Sequence, residues 1–307
     1  MDLAESIRKI DYNSLDISDY SRRYIQALLP ILDYYLDICN RALDLLPPSV
    51  HTLVDYGGGH GFLSFLAKKR GFERVIYVDY NPQASATVTA LAEQIGFGPD
   101  TVLTGDHNTL KTWCDEQHII PDAVVGIDVI EHIYRLEPFF SDLRSINPRM
   151  QMVFSTASTP YNPWIRHRLH RIMRRDEEKF QQMRRDFIAT LNLELSPNEL
   201  DHWVKATRGM TFNDIKSITS IEHISSIPTP PFPNTCDPIT GSWTERILPI
   251  KTYHHLAAPL CVELHKGFYN SYQRGPKGIA SRMLNFLLRL PFTLPLAPFI
   301  ILKINAK

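Results

Sequence analysis

The stretch VDYGGGHGF, residues 54–62, sets four glycines in five positions directly after a short apolar run. Such a turn adds almost no packing bulk. Glycine admits left-handed backbone, takes Cβ out of a ligand's path and leaves the next helix's N–H groups exposed to it. The dinucleotide spacing G-x-G-x-x-G fails in both registers. Begun at Gly57 it ends on Phe62, and begun at Gly59 it ends on Ser64. An acidic-x-G-x-G-x-G spacing fits throughout, as Asp55-Tyr56-Gly57-Gly58-Gly59-His60-Gly61.

Outward from this turn the chain alternates between two periods. TLVDY (52–56), RVIYVD (74–79), TVLTG (101–105), DAVVGID (122–128) and MQMVFST (150–156) read as strands. Helical patterns lie between them at Phe62–Lys69, Pro82–Ile95, Thr109–Gln117 and Leu136–Ser145, with Gly71 and Gly96 closing the first two. The strands are continuous apolar runs, as expected when helices cover both faces of a parallel sheet. Right-handed crossovers then give a doubly wound α/β layer.

The flanks read differently. Residues 16–46 are expected to be helical, with Ser18 as cap, Tyr24, Leu28, Leu32, Tyr35 and Leu36 on one face, and Pro30 splitting the run. Residues 161–191 show a second long helical pattern, with Leu169, Met173, Phe180 and Phe187 on its apolar face. Residues 226–238 are proline-rich, and strand-like sequence returns near 256–269 and in APFIILKI. Four segments follow: a helical cap (1–48), an α/β core (49–160), a helical and proline-rich insert serving as substrate module or lid (161–255), and closing strands (256–307).

Composition narrows the partners. The 33 basic and 33 acidic side chains balance, which argues against a general nucleic-acid coat. Cys39, Cys114, Cys236 and Cys261 form no C-x-x-C pair, so neither a zinc knuckle nor a disulfide framework is expected. A reducing, cytoplasmic setting fits this cysteine usage, and MDLAESIRKID has no apolar signal-peptide core. The apolar stretch 283–304 is broken by Arg289 and by Pro291, Pro295 and Pro298. A bilayer crossing needs about 20 apolar residues with every backbone group paired. A buried final strand is therefore expected, with an interfacial, membrane-peripheral anchor as the alternative.

From the glycine turn onward the sequence resembles the class I S-adenosylmethionine-dependent methyltransferases, in particular small-molecule enzymes of the ubiquinone-biosynthesis type. The resemblance covers residues 50–160 well and 256–307 weakly. It implies a seven-stranded, mostly parallel Rossmann-like sheet. It also implies that Asp55, Gly57, Gly58, Gly59 and Gly61 form the cofactor turn. Asp79 would accept the ribose hydroxyls beside Tyr80, and Asp106 with His107 would meet the adenine. PDAVVGIDVIEHI (121–133) resembles the fourth-strand segment and adds Asp128 to the cofactor set. GFYN (267–270) and the terminal strand resemble the closing hairpin.

Methyl transfer from a sulfonium needs alignment and exclusion of water, plus a base for a hydroxyl or protonated-nitrogen acceptor. His132 is the first candidate base, with Glu131 beside it and His60 in the turn as the other catalytic candidates. Tyr161 and Asn162 are candidates to line the acceptor site, while the arginine-rich 164–186 reads either as a solvated amphipathic helix or as a clamp for an anionic acceptor, with Trp164 and Trp203 as packing or as stacking rings. A hydrophobic acceptor, such as a quinone precursor, would suit the apolar C-terminal segment. No resident metal is expected. Two alternatives stand beside the small-molecule enzyme. One is a metal-assisted RNA 3′-end 2′-O-methyltransferase using Asp128, Glu131, His132 and His202. The other is a non-catalytic cofactor-binding subunit. The acceptor's identity and the oligomeric state are not legible in the sequence.

Overall fold

The computed structural model describes residues 2–191, 193–218 and 221–306. The chain begins with α1 (Leu3–Arg8), α2 (Asp19–Leu28) and α3 (Leu32–Asp44), the last two joined through a short 3-10 turn at Leu29–Ile31 that contains Pro30. Then β1 (Thr52–Tyr56), α4 (Phe62–Lys69), β2 (Arg74–Asp79), α5 (Pro82–Ile95), β3 (Thr101–Thr104), α6 (His107–Gln117), β4 (Ala123–Ile127), α7 (Leu136–Ile146) and β5 (Gln151–Thr156) alternate. Next come α8 (Pro163–Ala189), α9 (Pro197–Ala206), α10 (Phe212–Lys216) and α11 (Ile221–Ser226). The chain closes with α12 (Ile250–Leu256), β6 (Cys261–Lys266), α13 (Gly275–Leu287) and β7 (Ile300–Asn305).

Local chemistry sets many of these ends. Ser18 caps α2 by accepting from the Ser21 amide, and Asn81 caps α5 with Pro82 in its first turn. Gly96, at φ 83°, ends α5 in the left-handed region. Asp106 caps α6, so that helix starts at His107 rather than at Thr109.

The seven strands lie in the order β3-β2-β1-β4-β5-β7-β6. β1 to β5 are parallel, and β7 runs antiparallel to both β5 and β6. This is the expected seven-stranded, mostly parallel, doubly wound sheet. Strand order reverses between β1 and β4, so a crevice opens beyond their carboxyl ends. That is where the glycine turn sits.

The chain forms two compact units. One holds the residues up to Ile130, Leu136–Ala157 and the chain from Ile250 on. Its core takes Ile7, Ile25, Leu32 and Cys39 from the first helices into one cluster with Leu53, Phe65, Val125 and Ile301. The other holds Ser158–Pro249 together with the short segment Glu131–Arg135. Its core is Ile188, Trp203, Val204, Ile215, Ile218 and Ile224. Arg184 is fully buried there, with Nη2 2.7 Å from Glu177 Oε1 and Nε donating to the Val204 carbonyl. Glu177 also accepts from the Thr235 hydroxyl at 2.5 Å.

Several expectations need correcting. Tyr24 is 44% exposed rather than part of the buried core. The strand expected in the apolar C-terminal stretch starts only at Ile300, past the last of its three prolines, and GFYN follows β6 as coil. The residues before β7 include α13, which was not expected and whose apolar side chains Ile279, Met283 and Phe286 face outward. Of the two readings of Trp203 the packing one holds: it is core, 2% exposed. The basic run is also not a uniform clamp. Arg184 is internal, Arg185 pairs with Asp201 and Arg175 pairs with Asp176. Among the described residues no helix is long and apolar enough to cross a membrane.

Candidate active site

The turn after β1 is held by four hydrogen bonds to β2. Gly57 and Gly58 both donate their amides to the Val78 carbonyl at the end of β2, at 2.7 and 3.3 Å. The Gly59 amide donates to Asp79 Oδ2 at 2.9 Å, and the Gly59 carbonyl accepts from the Tyr77 hydroxyl at 2.5 Å. Each glycine has its own reason. A Cβ on Gly57 would lie 2.2 Å from Val129 Cγ2, on Gly58 2.7 Å from the Tyr77 ring, and on Gly61 2.7 Å from Val88. Gly59 is different. Its φ is +53°, yet nothing lies within 4 Å of the place a Cβ would take. Three glycines are required by packing; the fourth faces open space.

The two acids at the strand ends do different work. Asp55 is 1% exposed, and Oδ2 accepts from both the amide and the hydroxyl of Ser64, at 3.0 and 2.6 Å. Ser64 lies in the first turn of α4, so a carboxylate already occupies the helix N-terminus that a pyrophosphate would need. Burial pushes Asp55 up to about 7, against the two Ser64 hydrogen bonds and helped by the charge of Asp79. Asp79 is 8% exposed, and Oδ1 accepts from the Asn81 amide at 2.8 Å while Oδ2 holds Gly59. Burial raises its pKa, and the two amide hydrogen bonds act against that. Each oxygen retains lone-pair capacity for a further donor. Tyr80, next along, is 68% exposed.

His60 is 6% exposed, and neither ring nitrogen has a hydrogen-bond partner among the described residues. Its ring stacks on Tyr24 of α2, with centroids 4.7 Å apart. Burial pushes its pKa down to about 4, so the imidazole is neutral near pH 7. Tyr24 is the contact that sequence analysis missed. The helical spacing places Tyr24 with Leu28 and Leu32 on the packing face, whereas its ring lies on His60, and Tyr20 stands beside it with centroids 6.3 Å apart.

Asp106 is exposed and spends Oδ1 on the Asn108 and Thr109 amides and Oδ2 on the Asn108 side chain. The His107 ring turns to Asp142, with Nδ1 2.8 Å from Oδ2. Asp128 is exposed, in the left-handed region at φ +50°, and donates its amide to the Ser155 carbonyl at 3.2 Å. After burial, the charge of Asp128 is the next cause that raises the phenols of Tyr24 and Tyr34, and it also raises that of Tyr35. The first helices thus bring tyrosines into the field of the β4 carboxylate.

Glu131 and His132 belong to the second unit. Glu131 is 1% exposed. His132 Nδ1 is 2.7 Å from the Trp243 carbonyl. A carbonyl only accepts, so Nδ1 is the donor in this contact and Nε2 is the ring nitrogen left for another partner. Asn162 spends its side-chain oxygen capping α8, on the Trp164 and Ile165 amides. Among the described residues no group of three or more His, Cys, Asp or Glu side chains is placed to hold a metal ion.

A family model described as a methyltransferase domain matches residues 22–228. The chain belongs to the class I S-adenosylmethionine-dependent methyltransferases. S-adenosylmethionine is the cofactor of this family. The match begins within α2, so Tyr24 lies inside the methyltransferase domain.

Among solved structures, this methyltransferase is similar to the plantazolicin methyltransferase BpumL in complex with a triazolic desmethylPZN analog and SAH. The identity is 11%, 99% of this chain and 95% of that chain are covered, and the TM-score is 0.42. It is similar also to the methyltransferase domain of bacterial CtHen1-C, with 13% identity, 88% and 95% coverage and a TM-score of 0.40. For ribosomal protein L11 methylase from Lactobacillus delbrueckii subsp. bulgaricus the identity is 19% and the TM-score 0.31. That match takes in 38% of this chain and spans only 56% of the other. No curated protein matches.

Proposed function

We propose that this methyltransferase acts on a small-molecule acceptor, anionic or hydrophobic, at an oxygen or nitrogen atom. The observation that carries the cofactor half of the proposal is Gly59, left-handed, open where a Cβ would stand, and tied by its amide to Asp79. A ligand can approach this backbone, and the adjoining carboxylate suits a diol. When bound, S-adenosylmethionine supplies a methyl group already activated for displacement. Asp79 accepts from the ribose hydroxyls, with Tyr80 at the same strand end. Asp55 keeps the first turn of α4 closed to a phosphate. Asp106 and Asp128 complete the polar rim of the cofactor set. His60 offers a neutral buried ring nitrogen to the ligand.

His132 is the assigned base. The Trp243 carbonyl fixes its tautomer, so Nε2 is the atom that takes the acceptor's proton. Glu131, buried beside it, is the second catalytic candidate, and the exposed Trp164 is open to the acceptor. Isothermal calorimetry tests the cofactor half directly. The wild-type chain is expected to bind S-adenosylmethionine and the Asp79→Ala variant to bind it at least about tenfold more weakly. Absence of binding in both would overturn the proposal.

A further inference from the structure

Residues 264–307 contain Lys266, Arg274, Lys277, Arg282, Arg289, Lys303 and Lys307 and no aspartate or glutamate, in a chain whose 33 basic and 33 acidic side chains balance overall. The same segment carries α13. A surface helix ordinarily turns its apolar stripe inward. α13 does the reverse. Gly278 and, just past its end, Leu288 are buried, while Ile279, Met283 and Phe286 are 54%, 65% and 67% exposed. Leu287 and Leu290 continue that spacing at 40% and 41%, and Phe292 beyond them is 77% exposed. These positions follow i, i+4, i+7, i+8 and i+11, so they form one outward ridge.

Beside the ridge lies a cleft of about 980 Å³ that includes none of the glycine-turn residues. Arg41, Lys266, Arg282 and Arg289 line it, and Phe286 is shared between the cleft and the ridge. Its one lining acid, Asp44, is already paired with Arg70 at 2.8 Å. The Arg289 guanidinium lies 5.9 Å from the centre of the Phe286 ring, so a cation stands at the edge of the apolar ridge. An apolar ridge flanked by guanidinium groups matches the boundary between acyl chains and anionic headgroups.

We propose that this face docks on a bilayer containing anionic phospholipid. The ridge from Ile279 to Phe292 enters the headgroup–acyl boundary, and the arginines of the cleft take headgroup phosphates. Charge decides between occupants. A second copy meeting this face about a two-fold axis would set the same arginines against each other, whereas an anionic lipid surface neutralises them.

Vesicle sedimentation of the full chain tests this, with phosphatidylcholine alone and with phosphatidylcholine mixed with phosphatidylglycerol. Wild type is expected to pellet with the mixed vesicles and at least about tenfold more weakly with the neutral ones, the difference shrinking at high salt. Met283→Ser/Phe286→Ser replaces two exposed side chains, so folding is expected to survive, checked by an unchanged melting temperature. Its apparent affinity for mixed vesicles is expected to fall by at least about tenfold. Arg282→Gln/Arg289→Gln is expected to lose the preference for anionic lipid. Three results would each overturn the proposal: no pelleting by wild type, undiminished pelleting by Met283→Ser/Phe286→Ser, or binding of inorganic phosphate without vesicle binding. A concentration-dependent dimer abolished by the apolar variant, without vesicle binding, would assign the face to a second copy instead.

Discussion

Asp55 accepts two hydrogen bonds from a single residue, Ser64, one from its amide at 3.0 Å and one from its hydroxyl at 2.6 Å. This places an acidic side chain inside the first turn of the helix that follows the glycine turn. The site therefore carries its own carboxyl group, with its pKa raised by burial to about 7.

The first prediction concerns that group. Its folded pKa lies above the unfolded value of about 4, so its contribution to stability is fully present below about pH 4 and is lost as pH rises through about 7. Asp55→Asn retains an oxygen to accept from Ser64 but does not titrate. Melting temperatures measured from about pH 5 to about pH 8 should therefore decline less in the variant. A variant that tracks the wild-type slope would contradict this assignment.

His60 acts in the opposite direction. Its folded pKa of about 4 lies below the unfolded value of about 6.5, so stability present above pH 6.5 is lost as pH falls toward 4. His60→Phe keeps a ring to stack on Tyr24 and removes the titration. The variant is expected to lose less stability than wild type between about pH 6.5 and about pH 4 in the same melting series. The wild-type profile is the sum of two opposed slopes, so each variant should unmask the other group.

The glycines should separate stability from binding. Gly58→Ala drives a Cβ to 2.7 Å from the Tyr77 ring and 2.8 Å from Asp55 Cγ, and is expected to lower the melting temperature markedly. Gly59→Ala meets nothing within 4 Å. Its cost is the left-handed backbone, about 1–2 kcal/mol. A folded Gly59→Ala protein with weakened S-adenosylmethionine binding by calorimetry is the expected result. Unchanged binding would remove Gly59 from the cofactor site.

His132→Ala should leave S-adenosylmethionine binding unchanged and slow methyl transfer to an acceptor found by screening by about 10²–10⁴-fold. Unchanged turnover would exclude His132 as base.

In the second unit, Arg184→Leu leaves Glu177 without its guanidinium and is expected to destabilise by about 3–5 kcal/mol in denaturant unfolding. Replacing Glu177 with leucine as well should recover part of that loss. Near-neutral behaviour of the single variant would mean that the pair contributes little.

Most of the first unit could be read from the chain because its signals are local. A buried parallel strand needs a continuous apolar run, and a glycine at a closing turn needs no partner to be recognised. The same locality explains the misses. Tyr24 looked like packing because nothing in its own helix indicates that His60 comes to lie against it. Arg184 looked like a surface cation because its partner Val204 and Glu177's partner Thr235 are distant in sequence. α13 is hidden in the sequence because its apolar residues run on into the proline-broken apolar stretch before β7, so the whole reads as one segment. The acids of the cofactor turn were visible as residue types, but the pairing of Asp55 with Ser64 depends on where the helix starts.

The segment Glu131–Arg135 has one further consequence. Its carbonyls are taken up by the second unit: Glu131 accepts from the Arg246 amide, His132 from the Trp243 amide, and Ile133 from the Arg246 side chain. The insert is therefore not a transplantable cassette. Cutting out residues 158–249 alone would leave these five residues behind without their partners. A graft into another scaffold would have to carry a piece of the host's own β4–α7 loop, so the two parts of this gene cannot be exchanged independently.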